Sequence, residues 1–179
     1  MDDQTIEPIS LASLIDDHYQ VLYRYAYRLS GSQTDAEDLT QQTYLLAQEN
    51  LDQLRDPTAA RSWLFTILRN AYLKSKRSQR HTKTVSLERV GEPEEETNPP
   101  KTIDEKSLQN VIDELPDEFR IPLILFYFEE FSYKEIASQL DLPAGTVMSR
   151  LSRGKEHLRK KLQPVAVEVA SSPGNIIEN

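Results

Sequence analysis

FSYKEIASQLDLPAGTVMSRLSRGKEHLRKKL, running from Phe131 to Leu162, is the stretch that decides the fold. It reads as a short helix, a tight turn and a second helix rich in Arg and Lys. Ser132 followed by Glu135 is a capping box, in which each side chain satisfies the other's helix-start N–H. Leu142-Pro143-Ala144-Gly145 breaks the chain and restarts it, with Pro143 suited to a first helical position. In the second helix Val147, Leu151, Gly154 and Leu158 recur at spacings of four, three and four, which puts them on one face. The other face carries Thr146, Ser149, Arg150 and Arg153, donors of the kind that read base edges and phosphates in a major groove. This is the pattern of a DNA-binding helix-turn-helix. Two amphipathic helices around a Pro-Gly turn also occur in bundles whose basic faces are only solvated.

Outward from that segment, charge is unevenly distributed. The chain has 179 residues and a formal net charge of −8, which at first argues against a nucleic-acid partner. Residues 1–60 carry −8, 61–83 carry +7 with no acidic side chain, 84–120 carry −7, 121–145 carry −3 and 146–162 carry +5. Two basic patches thus sit in an acidic chain, and the local charge governs where phosphates bind. Cysteine is absent, so disulfides and thiolate metal sites are excluded. His18, His81 and His157 are too scattered for a metal cluster. The acidic start MDDQTIEPIS lacks the basic and apolar regions of a secretory signal. No apolar run approaches the roughly 20 residues that cross a bilayer. The expectation is a soluble, cytoplasmic protein without membrane insertion.

The apolar pattern is helical almost throughout. Leu11 to Leu29 should pack through Leu14, Ile15, Leu22, Tyr25, Ala26 and Leu29, ending at Ser30-Gly31-Ser32. Thr34 with Glu37 forms a second capping box, opening a helix through about Asn50. A third runs from about Thr58 to Arg80, with Ala60, Leu64, Ile67, Leu68 and Ala71 inward. Residues 85–101, VSLERVGEPEEETNPPK, are rich in Glu and Pro and read as a flexible acidic linker. Helices resume over about Ile103–Leu115 and Pro116–Glu130, where Pro122 is placed to kink the second. The expected fold is all-α. Two small helical domains, 1–84 and 102–163, flank the linker, the second is the helix-turn-helix, and 164–179 form a disordered tail.

Two further faces carry candidate function. On Asp35–Gln48, Ala36, Leu39, Thr43, Leu46 and Ala47 face inward while Asp38, Gln41, Gln42 and Leu45 face out. A leucine among carboxamides and carboxylates suits protein docking, and equally an ordinary solvated helix with one stray leucine. On Ser62–Lys83, the cations Arg69, Lys74, Lys76, Arg77, Arg80 and Lys83 can follow a phosphate backbone. Trp63, Phe65 and Tyr72 are interleaved with them, and such rings can stack on unpaired bases. Trp63 adjoins the inner face and fits the core. Asn70 and Tyr72, at the change from apolar to basic, are the candidates for touching a base. No Gly-rich phosphate loop, nucleophile elbow or metal-ligand spacing occurs, so neither an enzyme nor a cofactor site is expected.

DAEDLTQQTYLLA, RSWLFTILRNAYLKSKR and LPDEFRIPLILFYFEEFSYKEIASQLDLPAGTVMSRLSRGKEHLRKKL, in this order, resemble the extracytoplasmic-function (ECF) class of bacterial sigma factors. With the intervening helices the likeness spans about Ser10 to Leu162. It implies a protein that binds core RNA polymerase and directs it to promoter DNA. Residues 1–84 would be region two, docking on the clamp helices of the largest polymerase subunit through Asp38, Gln41, Gln42 and Leu45. The same region would open the −10 element around Asn70, Ala71 and Tyr72, beside Arg69, Lys74, Arg77 and Arg80. Residues 102–163 would be region four, reading the −35 element through Thr146, Ser149, Arg150 and Arg153. The class is commonly controlled by an anti-sigma factor. Met148 stands where the class often has a basic residue.

Two basic patches on one tether gain avidity only when both are held in register, so the acidic chain should bind naked promoter DNA weakly. Two other readings fit parts of the pattern. One is a helix-turn-helix regulator acting as an operator-binding dimer without polymerase, and the other is a helical module whose basic faces bind acidic proteins.

Overall fold

Local signals fix each helix before packing joins them. The computed structural model describes residues 9–83 and 105–171, with side chains at 9–79 and 105–162. The expected linker 85–101 lies outside the described residues, as do 1–8 and 172–179. Described residues are helical apart from turns, with no strand among them. The chain divides into two units, Met1–Leu87 and Glu88–Asn179.

In the first unit α1 spans Leu11–Ser30, and Ser10 caps it by accepting a hydrogen bond from the Ser13 N–H at 3.1 Å. Gly31 ends it in the left-handed region at φ 69°, where a Cβ would be strained, and its N–H donates to the Tyr27 carbonyl at 2.8 Å. α2, Gln33–Glu49, follows at once. Its cap is Ser32, which accepts from the Asp35 N–H at 3.3 Å, so the expected Thr34–Glu37 box does not form. Gly31 delivers Ser32 directly to the start of the helix, leaving Thr34 already inside the first turn. Two short 3₁₀ turns, Leu51–Gln53 and Pro57–Ala59, lead into α3, Ala60–Lys83.

The three helices close on Leu14, Leu22, Tyr25, Ala26, Leu29, Leu39, Leu64, Phe65, Leu68 and Tyr72, all buried. Tyr25 and Phe65 stack with centroids 4.6 Å apart, tying α1 to α3. Full burial of each large apolar side chain contributes roughly 1.5–3 kcal/mol. The inner face of α3 is wider than its sequence period indicated. Ile67 is only half-buried, whereas Phe65 and Tyr72 are enclosed, because α3 packs against both α1 and α2.

In the second unit α4 spans Glu105–Asp113, α5 Asp117–Tyr127, α6 Tyr133–Leu140 and α7 Ala144–Ser171. Ile112, Leu115, Ile121, Leu123, Ile124, Leu125, Phe131, Ile136, Val147 and Leu151 form its core. α5 passes through Pro122 as one helix, with Pro122 itself buried. α7 continues to Ser171, so the expected tail from residue 164 is helical in its first part. Propagation of an existing helix adds one hydrogen bond per residue ordered. Among the described residues, no helix is long and apolar enough to cross a membrane.

Candidate functional site

Three faces carry the residues singled out from sequence. On α2, Ala36, Leu39, Thr40, Thr43, Tyr44 and Ala47 are buried. The two buried threonine hydroxyls are satisfied within the helix, Thr40 donating to the Ala36 carbonyl and Thr43 to that of Leu39, both at 2.7 Å. The opposite face holds Asp38, Gln41 and Gln42, all exposed, with Leu45 at 63 % exposure. Tyr44 donates to the Leu14 carbonyl at 3.4 Å, and burial pushes its phenol up to about 12, helped by Tyr19. That anchor fixes the rotation of α2, and therefore which side chains face out.

On α3, Asn70, Lys74 and Arg77 are exposed and Arg69 is half-buried. Arg69 donates to the Asn70 Oδ1 from Nη2 at 3.0 Å and from Nε at 3.3 Å. The amide oxygen of Asn70 is thereby engaged. Tyr72 is a correction. Only 1 % of it is exposed, so its ring is part of the core and cannot stack on a base from this position. It lies four residues after Leu68, on the same stripe, and Lys76 Nζ sits 5.6 Å from its ring centroid. The side chain of Arg80 lies outside the described residues. Trp63 is half-buried, between the two readings of it. Arg61 extends the basic face, its guanidinium 5.0 Å from the Phe65 centroid. Nearby His18 titrates below its ordinary value, chiefly through burial, with Asp17 opposing and Arg61 adding to the fall.

On α6 and α7 the helix-turn-helix is built as its sequence indicates. The Ser132 hydroxyl accepts from the Glu135 N–H at 3.2 Å, while Glu135 Oε2 accepts from the Ser132 N–H at 2.8 Å and from its hydroxyl at 2.6 Å. The turn that follows α6 opens on a left-handed residue. Asp141, not a glycine, takes the left-handed position at φ 53°, a conformation that Asp tolerates through its short polar side chain. Pro143 precedes the first turn, its carbonyl accepting from the N–H groups of Thr146 at 2.9 Å and Val147 at 3.2 Å.

Val147 and Leu151 face the core, and Gly154 is buried against α5. A Cβ on Gly154 would lie 2.9 Å from Leu123 Cδ1, so glycine is what lets the two helices approach. Outward stand Ser149 and Arg153, exposed, with Thr146 and Arg150 half-buried. The Ser149 hydroxyl donates to the Thr146 carbonyl at 2.9 Å. Arg150 Nη2 lies 3.8 Å from Glu118 Oε2 on α5. At the far end Glu114 accepts from Lys161 Nζ at 2.8 Å, which holds its carboxyl below the usual range, with His157 a lesser cause.

Two residues important to this face are not among the sequence candidates. Arg120, 8 % exposed, donates to the carbonyls of Asp113 and Leu115 and so pins the turn between α4 and α5. Glu118 pairs with Arg150. The signal available for Arg120 is a lone cation at the edge of the apolar run Ile121–Leu125.

The family Sigma-70 region 2 matches residues 14–82, and Sigma-70, region 4 matches residues 105–158. The ECF RNA polymerase sigma factor SigE of Mycolicibacterium smegmatis is 36 % identical over 178 residues, covering 95 % of this chain and 68 % of that one. The ECF RNA polymerase sigma factor SigL of Mycobacterium tuberculosis is 34 % identical over 165 residues, covering 90 % and 93 %. Among solved structures, the sigma factor RpoE of Bartonella quintana, in complex with the anti-sigma factor NepR, superposes with a TM-score of 0.70. It is 26 % identical and the match covers 85 % of this chain and 96 % of that one.

Proposed function

Because the chain belongs to the ECF class of RNA polymerase sigma factors, we propose that its two helical units divide the work of promoter recognition between the faces described above. Residues 1–84 dock on core polymerase, at the clamp helices of its largest subunit, through Asp38, Gln41, Gln42 and Leu45. The observation that carries this assignment is Leu45, 63 % exposed among polar side chains on a helix whose other face is closed. An apolar group held in water on a rigid helix loses hydration on docking without any reorganisation of the free protein.

Asn70, with Arg69, Lys74 and Arg77 around it, contacts the opened −10 element. Tyr72 supports that surface from inside the core. Arg80 continues the cationic stripe in the sequence. Thr146, Ser149, Arg150 and Arg153 of α7 contact the −35 element, in residues 102–163, and residues 85–101 tether the two units. The protein carries no reaction of its own and works in the cytoplasm, where core polymerase and promoter DNA are. An anti-sigma factor is the natural regulator, supported by the relative solved in complex with one.

Binding to fluorescently labelled core polymerase tests the docking face. Leu45→Ser should weaken the complex about tenfold or more, roughly 1.4 kcal/mol, as expected for a buried apolar anchor. The change leaves the fold intact, since Leu45 lies outside the buried core. Unchanged affinity for both Leu45→Ser and Gln41→Ala would remove α2 as the docking face.

A further inference from the structure

We infer that Glu118 is a positioning residue for Arg150, setting how sharply the protein discriminates the base that Arg150 reads. The inference rests on the reading of α7 as the promoter-contacting helix. Glu118 stands in the first turn of α5, where a carboxylate is favoured by the helix dipole. α5 packs directly on α7. The Arg150 side chain is 27 % exposed and that of Glu118 56 %. The guanidinium is therefore laid along the protein while the carboxylate stands at the rim of the exposed face.

The Nη2 to Oε2 separation of 3.8 Å is an ion pair, longer than the roughly 2.7–2.9 Å of a charge-assisted hydrogen bond. It biases the rotamer without consuming the donors. Arg150 has no other partner among the described residues, and Arg153, about one turn further on, has none. One arginine is thus aimed and the next is free. Bidentate recognition of a guanine edge needs the planar fork in a fixed orientation. A side chain already restricted gives up less rotamer freedom when it reaches the base. The rim carboxylate also repels phosphate whenever α7 is misdocked, so it opposes contacts that carry no sequence information.

These two effects have opposite signatures in affinity and the same signature in selectivity. Removing the charge relieves the repulsion for DNA of any sequence and costs the correct base its pre-aimed partner, and both changes flatten the preference for that base. An exposed pair of this kind changes an equilibrium by roughly two- to fivefold.

The test uses holoenzyme assembled from the full chain and core polymerase, on a promoter selected by that holoenzyme from genomic fragments. Single-base substitutions across its −35 element give a discrimination ratio at each position. The chains compared are wild type, Glu118→Gln, Glu118→Asp, Arg150→Ala and the Glu118→Gln/Arg150→Ala double variant. Circular dichroism of each checks that the helices are intact. Arg150→Ala should flatten one position of the −35 element. Glu118→Gln should lower discrimination two- to fivefold at that same position, with Glu118→Asp retaining part of it. Glu118→Gln should have no further effect in the Arg150→Ala background, because it acts through that side chain. Full discrimination in Glu118→Gln, with Arg150→Ala still flattening a position, overturns the inference while leaving the reading of α7 standing. Equal loss in both backgrounds overturns it as well. No effect of Arg150→Ala removes the reading of α7 and this inference together.

Discussion

Replacing Arg120 with Met should cost the second unit about 2–4 kcal/mol, and the figure follows from the bonds the guanidinium makes. Nη2 donates to the Leu115 carbonyl at 2.8 Å and to that of Asp113, and Nε donates to Leu115 at 3.2 Å. Asp113 is the last residue of α4, and Leu115 sits in the turn before α5. One side chain therefore satisfies the end of one helix and fixes the entry to the next. A hydrogen bond to a charged group contributes about 1.5–3 kcal/mol, and a buried carbonyl left without a partner costs about 1–3 kcal/mol. The three bonds share one side chain and two acceptors, so they do not add. Asp117 Oδ1, 3.9 Å away on a partly exposed carboxylate, loses that contact too but can turn to water.

Methionine keeps most of the volume, so the loss reports the bonds rather than a cavity. With about 4–8 °C per kcal/mol for a small domain, the second unit should melt at least about 8 °C lower. The assay is thermal denaturation followed by far-ultraviolet circular dichroism. The sole tryptophan, Trp63, lies in the first unit and serves as an internal reference. Its fluorescence midpoint should stay where it is. A circular dichroism melt that shifts by less than about 1 °C would refute the reasoning, since the buried guanidinium would then contribute nothing net.

The corrected place of Tyr72 has its own consequence. Tyr72→Ala should lower the stability of the first unit by about 3–5 kcal/mol, as for other buried aromatics, while Asn70→Ala stays within about 0.5 kcal/mol and lowers promoter opening. Urea midpoints from Trp63 fluorescence decide this, and an unmoved midpoint in Tyr72→Ala would contradict its burial. Alkaline pH tests Tyr44. Its folded pKa is raised from 10.0 to about 12, so its contribution is complete below pH 10 and is lost as pH rises through 12. The loss amounts to up to about 3 kcal/mol. Urea midpoints between pH 8 and 12 should fall less for Tyr44→Phe than for wild type, and parallel profiles would show that Tyr44 is not the group responsible.

The helix-turn-helix was legible because everything that specifies it is local. The Ser132–Glu135 box, the Pro143 restart and the Val147, Leu151, Gly154 face each lie within a few residues. The exposed row Asp38, Gln41, Gln42 and Leu45 was legible for the same reason, as the complement of a clear apolar stripe on α2. Tyr72 was misplaced because its basic neighbours, Lys74 and Lys76, outweighed its i+4 relation to Leu68. Only contact with two other helices shows how wide the buried arc of α3 is. The cap of α2 was misplaced by two residues because Ser32 and Thr34 offer the same hydroxyl chemistry. What separates them is the left-handed Gly31, a backbone fact. Arg120 and Glu118 were hidden for a different reason. A charge beside an apolar run reads as surface, and its partners are carbonyls or a residue a helix-turn-helix away, which no local pattern records.

The central claim is that this chain confers promoter specificity on core polymerase, and run-off transcription tests it most directly. Purified chain is added to sigma-free core polymerase with a pool of genomic promoter fragments. Discrete transcripts should appear only with the chain present, and should be lost when Gln41 and Leu45 are substituted together. Failure to bind core polymerase, or binding with no discrete transcript from any fragment, would contradict the account.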